Sequence, residues 1–255
     1  QNGQYRHIRR LAEGGMGEVH VVEHRALREL RVMKILKAVG PDADEQLTKR
    51  LLAEGRSMRG MRHPNIVEVL DLGLTDSGRP YLVTERLIGN TLADEIKARG
   101  RLPFEEVIVI SNGILAGLTA AHQRGIVHRD LKPANLFYLE PDARGVRGVK
   151  ILDFGIAKAI SEEAEERAGS ALVATEAGNF AGSPPYISPE QSCGMRVDAR
   201  SDLYSLGAVM VCSLTGRPPF QGTSVVEYLT AHLTEAPEAP SARVAGIPEG
   251  LDAIV

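Results

Sequence analysis

The segment His128-Arg129-Asp130-Leu131-Lys132-Pro133-Ala134-Asn135 constrains this chain more than any other. It sets a carboxylate, a cation and a carboxamide on one short stretch. Pro133 fixes one φ between them, so a stiff turn rather than a helix spaces the three groups. Asp130 can accept a proton from a hydroxyl, and Lys132 can hold a phosphate oxygen. Asn135 is a neutral oxygen ligand suited to a hard cation such as Mg²⁺. If such a loop acts on a phosphoryl group, a phosphate cradle and a metal carboxylate are to be sought elsewhere in the chain.

The surrounding pattern predicts where those parts sit. Tyr5–Glu13 and Glu18–Glu23 are β-prone runs flanking Gly14-Gly15-Met16-Gly17, which reads as a hairpin with a glycine tip. Further strands are predicted over Arg31–Leu36, Ile66–Leu72 and Tyr81–Glu85, with a helix around Gln46–Met61. After Arg86–Gly89 the character changes. Thr91–Arg99 is a helix that starts on threonine and stops at Gly100, and Phe104–Gln123 is a long helix with an apolar face. The chain is strand-rich before about residue 87 and helix-rich after it, which predicts an α+β fold in two lobes, 1–87 and 88–255. The acidic run Ser161–Glu166 reads as a solvated face or a mobile loop.

Composition narrows the function classes. With 43% hydrophobic residues the chain can bury a full core, and a net charge of -3 gives no reason to expect nucleic acid or an anionic membrane as partner. Uninterrupted apolar runs such as Ala208–Cys212 are far shorter than the ~20 residues of a bilayer span. Cys193 and Cys212 have neither CxxC spacing nor a histidine cluster beside them, so both read as buried reduced thiols. The chain begins at Gln1 and stops on the apolar stretch Leu251–Val255, which suggests a piece of a longer protein.

Three further segments carry chemistry. Glycines at 14, 15 and 17 would let backbone N–H groups approach a triphosphate. Lys34, in Val32-Met33-Lys34, read alone is a surface lysine on an edge strand. Asp153-Phe154-Gly155 follows the β-like run Val149–Leu152 and offers a metal carboxylate. The stretch Glu140–Gly148 between the catalytic-type loop and Asp153 has no functional account.

In this order the segments resemble those of protein kinases. The octapeptide matches the catalytic loop H-R-D-L-x-x-x-N, and Asp153-Phe154-Gly155 matches D-F-G. Ala12-Glu13-Gly14-Gly15-Met16-Gly17-Glu18-Val19 follows G-x-G-x-x-G-x-V with alanine in the first glycine position. Gly182-Ser183-Pro184-Pro185-Tyr186-Ile187-Ser188-Pro189-Glu190 resembles the end of an activation segment, and Asp202 resembles the buried helix aspartate that braces the catalytic loop. Lys132, Ser188-Pro189-Glu190-Gln191 and Thr215-Gly216-Arg217-Pro218-Pro219-Phe220 look most like the bacterial serine/threonine kinases related to eukaryotic ones.

The resemblance implies a bilobal protein-kinase fold, with a β-rich N-lobe, a mainly α-helical C-lobe and ATP in the cleft. It implies Asp130 as base, Lys132 on the γ-phosphoryl group, and Asn135 with Asp153 holding Mg²⁺, Mn²⁺ being an alternative. Lys34, set by Glu54, would hold the α- and β-phosphates. Ala12, Gly14, Gly17, Val19, Val32, Thr84 (the gatekeeper), Glu85 and Leu87 would line the nucleotide site. Ser183 would bond Asp130 and Lys132, and Thr175 would be the phosphorylated residue of the activation segment, its other reading being an ordinary loop threonine. Protein substrates, a cytoplasmic location with a parent protein anchored in the membrane, and a kinase-domain dimer are compatible with the family. The last helices of the fold would be missing, and with them the arginine partner of Glu190. A catalytically silent scaffold and a small-molecule phosphotransferase are the two alternatives. The complete residue set opposes the first and the 182–190 segment opposes the second.

Overall fold

Strand-forming sequence sets up the first part of the molecule. The computed structural model describes residues 3–14, 17–36, 55, 58–154 and 183–255. The chain divides into two compact units, Gln1–Ile88 and Gly89–Val255.

In the first unit β1 (Tyr5–Gly14), β2 (Gly17–His24), β3 (Glu29–Leu36), β4 (Val69–Leu74) and β5 (Pro80–Glu85) form an antiparallel sheet in the order β1-β2-β3-β5-β4. Residues directly opposite one another in such a sheet share a face, and the faces alternate along each strand. Met33 opposite Val83 and Ile35 opposite Tyr81 therefore build one apolar face, completed by Tyr5 and Val22. The opposite parity carries Val19, Val32, Lys34 and Thr84. At Gly17 φ is 151°, and a Cβ there would run into the carbonyl oxygen of Ile35. Only glycine fits that turn into the sheet.

The fourth strand corrects the sequence-based expectation. Ile66 and Val67 are buried, yet the strand begins only at Val69 and runs on to Leu74. A turn at Pro64-Asn65 is responsible, since Ile66 N–H donates to the carbonyl of His63 at 3.1 Å and Asn65 N–H to its ring Nδ1 at 3.1 Å. The predicted helix around 46–61 lies largely outside the described residues. Gly55, Met58 and Arg59 are helical, and Met58 and Met61 are buried.

The second unit begins with β6 (Gly89–Thr91), which joins β7 (Leu136–Leu139) and β8 (Val149–Ile151) in a small sheet of order β6-β7-β8. Helix α1 (Leu92–Arg99) starts on a capping box between Thr91 and Asp94 and stops at Gly100, φ 77°. Helix α2 (Phe104–His122) buries Val107, Ile110, Ile114, Leu118 and Ala121 at three- and four-residue spacing. Its 19 residues and mean hydropathy of 1.4 would suffice for a membrane span by length and composition. Here that stripe packs against β8 and against α4 (Ala199–Thr215). Helix α4 is buried on nearly all sides from Ala208 to Leu214. A short helix α3 (Pro189–Ser192) precedes it, and α5 (Val225–Thr234) follows, capped by Ser224.

Both cysteines are free, but only Cys212 is buried. Cys193 is exposed, contrary to expectation, because it caps α3 where the chain turns outward through Gly194 at φ 64°.

Candidate active site

Asp202, in the first turn of α4, is 1% exposed and organises the loop that precedes β7. Its Oδ2 accepts the backbone N–H of His128 at 2.8 Å and pairs with His122 Nε2 at 2.7 Å. Its Oδ1 accepts the N–H of Arg129 at 2.9 Å. Arg129 sits at φ 63°, a left-handed conformation that costs a non-glycine residue about 1–2 kcal/mol. From the far side, Gln191 Nε2 donates to the Arg129 carbonyl at 2.8 Å. The Gln191 amide oxygen meanwhile accepts from Ser188. One amide thus ties the 183–190 segment to the loop, a link the sequence reading missed.

His128 is completely buried and reads both ways along the chain. Its Nε2–H donates to the carbonyl of Leu152 at 2.9 Å, while Nδ1 accepts the N–H of Asp130 at 3.3 Å. These partners settle the neutral tautomer. The ring also lies 4.9 Å from that of Phe154. One imidazole therefore fixes Asp130 relative to the residue just before Asp153.

The loop then presents its chemistry. Lys132 Nζ is 2.9 Å from Asp130 Oδ2 and donates to Ser183 Oγ at 2.7 Å. Asn135, closing a 3-10 turn over Pro133–Asn135, donates from Nδ2 to the Asp130 carbonyl at 2.8 Å and to Asp130 Oδ2 at 3.2 Å. With Nδ2 spent on Asp130, Oδ1 is the ligand atom the amide has left. Leu152 N–H donates to the Asn135 carbonyl at 2.8 Å, which brings the start of β7 beside the segment leaving β8. Asp153 follows, exposed, at φ 39°. A carboxylate and a carboxamide oxygen suit a hard divalent cation. Among the described residues no cluster of three or more His, Cys, Asp or Glu could hold a metal on its own. Such an ion would need phosphate or water oxygens to complete its shell.

A small, solvent-open depression lies beside Asp130, with Arg129, Leu131, Ser183, Tyr186 and Gln191 in its wall. Pro184–Tyr186 form a 3-10 turn packed on α4 and α5. Tyr186 donates to Cys212 Sγ at 3.4 Å. Glu190 accepts the hydroxyl of Ser201, so its carboxylate has a partner within the unit.

In the first unit, the register sets Ala12 opposite Val19, Gly14 opposite Gly17, Val19 opposite Lys34 and Val32 opposite Thr84. All seven candidate nucleotide contacts on β1, β2, β3 and β5 short of Glu85 thereby share one face of the sheet. Glu85 is committed to Glu68, its N–H donating to that carbonyl at 3.1 Å and its Oε1 accepting the Glu68 N–H at 2.9 Å. Leu87 lies just beyond β5 and is half-buried. Glu54, Gly155 and Thr175 lie outside the described residues.

Comparison with known proteins agrees with this geometry. The family model described as "Protein kinase domain" matches residues 5–244. The chain is 38% identical over 260 residues to a probable serine/threonine-protein kinase PknB of Bifidobacterium longum, covering 99% of this chain and 36% of that protein. It is 37% identical over 240 residues to the serine/threonine-protein kinase pkn3 of Myxococcus xanthus, covering 94% of this chain and 43% of that protein. The chain thus spans less than half the length of these relatives. Among solved structures, a double mutant of the PknI kinase domain of Mycobacterium tuberculosis superposes with a TM-score of 0.71 at 27% identity, covering 94% of this chain and 81% of that one. The family implies use of ATP and a divalent metal. A match of this extent, on a chain whose loop, hairpin and helix aspartate are arranged as described, shows that it belongs to the protein kinase domain family.

Proposed function

We propose that this chain is the catalytic domain of a serine/threonine protein kinase, transferring the γ-phosphoryl group of ATP to protein hydroxyls with Mg²⁺ as the metal. The observation that carries the reading is Lys132 bound at once to Asp130 and to Ser183. A carboxylate that can take a proton, and a cation that can hold a phosphoryl oxygen, are thereby fixed about one point.

Asp130 orients the acceptor hydroxyl and takes its proton as the oxygen bonds to the γ-phosphorus and the bond to the β,γ-bridging oxygen breaks, releasing ADP. Lys132 holds an oxygen of the group in transit. Asn135 Oδ1 and the Asp153 carboxylate would hold the metal, whose charge when bound offsets that of the phosphates, and Mn²⁺ fits the same oxygen donors. Lys34 would hold the α- and β-phosphates, with Glu54 as its proposed partner. Ala12, Gly14, Gly17, Val19, Val32, Thr84, Glu85 and Leu87 are the proposed nucleotide contacts. Because the step is mainly positioning and charge neutralisation, no covalent enzyme intermediate is required. The proposal includes a cytoplasmic location, where ATP is supplied. We extend the reading to Thr175, as a site of autophosphorylation whose phosphate would pair with Arg129.

The test is incubation with γ-labelled ATP, Mg²⁺ and a generic basic protein. Label on serine or threonine is the expected result. Nucleotide binding without transfer would point to a scaffold, and label on a small-molecule hydroxyl alone to a different phosphotransferase.

A further inference from the structure

Asn135 stands at the start of a hairpin and Asp153 two residues beyond its end. The hairpin is short, with only the pairs Leu136–Ile151, Phe137–Lys150 and Tyr138–Val149 in register. Two strands of that length are marginal unless something else holds them; β6 pairs along β7 from Gly89–Leu139 to Thr91–Phe137, but β8 has β7 alone as its partner strand. At the near end the bond from Leu152 N–H to the Asn135 carbonyl closes the ladder. At the far end the loop itself closes the hairpin, Leu139 N–H donating to the Gly148 carbonyl at 2.9 Å, and Arg147, in the stretch 140–148 that the catalytic chemistry leaves unused, adds a side-chain tie across it.

Arg147 spends its whole guanidinium on this. Nε donates to the carbonyl of Leu139 at 2.9 Å, on the opposite strand. Nη1 and Nη2 donate to the two oxygens of Glu95 at 3.3 and 3.1 Å. The guanidinium carbon lies 3.7 Å above the centre of the Tyr138 ring. Glu95, on α1, is 8% exposed and also accepts from Asn90 Nδ2, at 3.1 Å, on β6. Arg99, on the same helix, holds Glu95 at 3.5 Å and Glu106 of α2 at 2.7 Å. The hairpin's loop end is thus anchored to α1 by Arg147 itself, and onward to β6 and α2 through Glu95 and Arg99. A fork with fixed donor directions can do this, whereas the point charge of a lysine cannot.

We propose that Arg147 is a positioning residue for the metal-holding pair, fixing through the hairpin the placement of Asp153 relative to Asn135. The proposal rests on the kinase reading of that pair. A one-residue slip of β8 against β7 would carry Asp153 about 3.3 Å along the strand. Mg²⁺ demands ligands at about 2.0–2.1 Å in near-octahedral geometry, so a far smaller shift would already be felt.

Mn²⁺ is the probe, titrated by electron paramagnetic resonance into the protein with a non-hydrolysable ATP analogue, so that no turnover is needed. Arg147→Ala is expected to weaken Mn²⁺ binding about tenfold, the low end of what loss of outer support costs a metal site. Metal-free nucleotide affinity should stay unchanged. Arg147→Lys, which keeps a cation over Tyr138 but loses the fork, should fall between. Glu95→Gln, which keeps the shape of its side chain, should weaken Mn²⁺ in the same direction and serves if the alanine variant does not fold. Unchanged Mn²⁺ affinity in Arg147→Ala and Glu95→Gln, with only a lowered melting temperature, would make Arg147 a plain stabiliser and overturn the proposal while leaving the kinase reading intact. A parent protein that itself fails to bind Mn²⁺ with the nucleotide would overturn the kinase reading, and the proposal with it.

Discussion

Asp202 Oδ1 accepts the backbone N–H of Arg129 at 2.9 Å and so holds the residue before Asp130 in a left-handed conformation, φ 63°. The other carboxylate oxygen takes the N–H of His128 and the ring of His122. Strained backbone persists only where its surroundings over-determine it, and here one buried carboxylate supplies most of the determination.

Asp202→Ala should therefore act on stability and on the loop together. It leaves two backbone N–H groups without their acceptor in a buried setting, at about 1–3 kcal/mol each. A loss of about 2–6 kcal/mol in chemical denaturation is expected, with phosphotransfer falling alongside. An unchanged denaturation midpoint would show that Gln191 and the hairpin hold Arg129 without Asp202.

Asp130→Asn separates chemistry from architecture. The amide keeps the size of the carboxylate and can still accept from Lys132, but it cannot take a proton. Phosphotransfer should drop by roughly 10²–10⁴ while nucleotide binding persists. Near-parental turnover would remove Asp130 from the proposed mechanism.

Features written in adjacent residues were legible in the sequence. The threonine start at Thr91, the Gly100 stop, the periodic face of α2 and the His128–Asn135 loop all depend on neighbours, and all stand where the pattern puts them. What was not legible depends on partners far along the chain. Nothing near Arg147 announces Glu95, 52 residues away, and nothing near Gln191 announces the Arg129 carbonyl, 62 away. The start of β4 was misjudged because the turn at Pro64-Asn65 buries Ile66 and Val67 without using them in the strand. Cys193 was misplaced because exposure at a helix end follows from the direction of the exiting chain, which composition does not record.

His232, on α5, gives the fold a pH dependence of definite sign. Its ring is 4% exposed, edge-on to Phe220 and bonded through Nδ1 to Tyr204 Oη at 2.8 Å. Nε2 has no hydrogen-bond partner among the described residues, although the carbonyls of Pro184 and Pro185 lie on its side. Burial holds its pKa below the ordinary value of about 6.5. Between those two values the unfolded chain binds a proton that the folded chain refuses. The stability linked to His232 is thus complete above about pH 6.5 and declines as pH falls toward the folded-state value. His232→Gln should flatten that part of the stability curve. Parallel curves for parent and variant between pH 7 and 5 would show that His232 does not titrate differently on folding.

Ser183 tests whether Lys132 needs two partners or one. The ammonium donates to Ser183 Oγ at 2.7 Å and pairs with Asp130 at 2.9 Å. Ser183→Ala removes the first contact and leaves the second, so Lys132 would be drawn wholly onto the carboxylate that must act as base. A hydrogen bond to a charged group is worth about 1.5–3 kcal/mol. Expressed fully in the transition state, that is about ten- to a hundredfold in kcat. Ser183→Thr keeps the hydroxyl and should stay close to the parent, while both variants keep their affinity for ATP. The measurement is kcat at saturating ATP and saturating protein substrate. If Ser183→Ala turns over as fast as Ser183→Thr, Asp130 alone positions Lys132, and the contact with Ser183 merely records where the 183–190 segment rests.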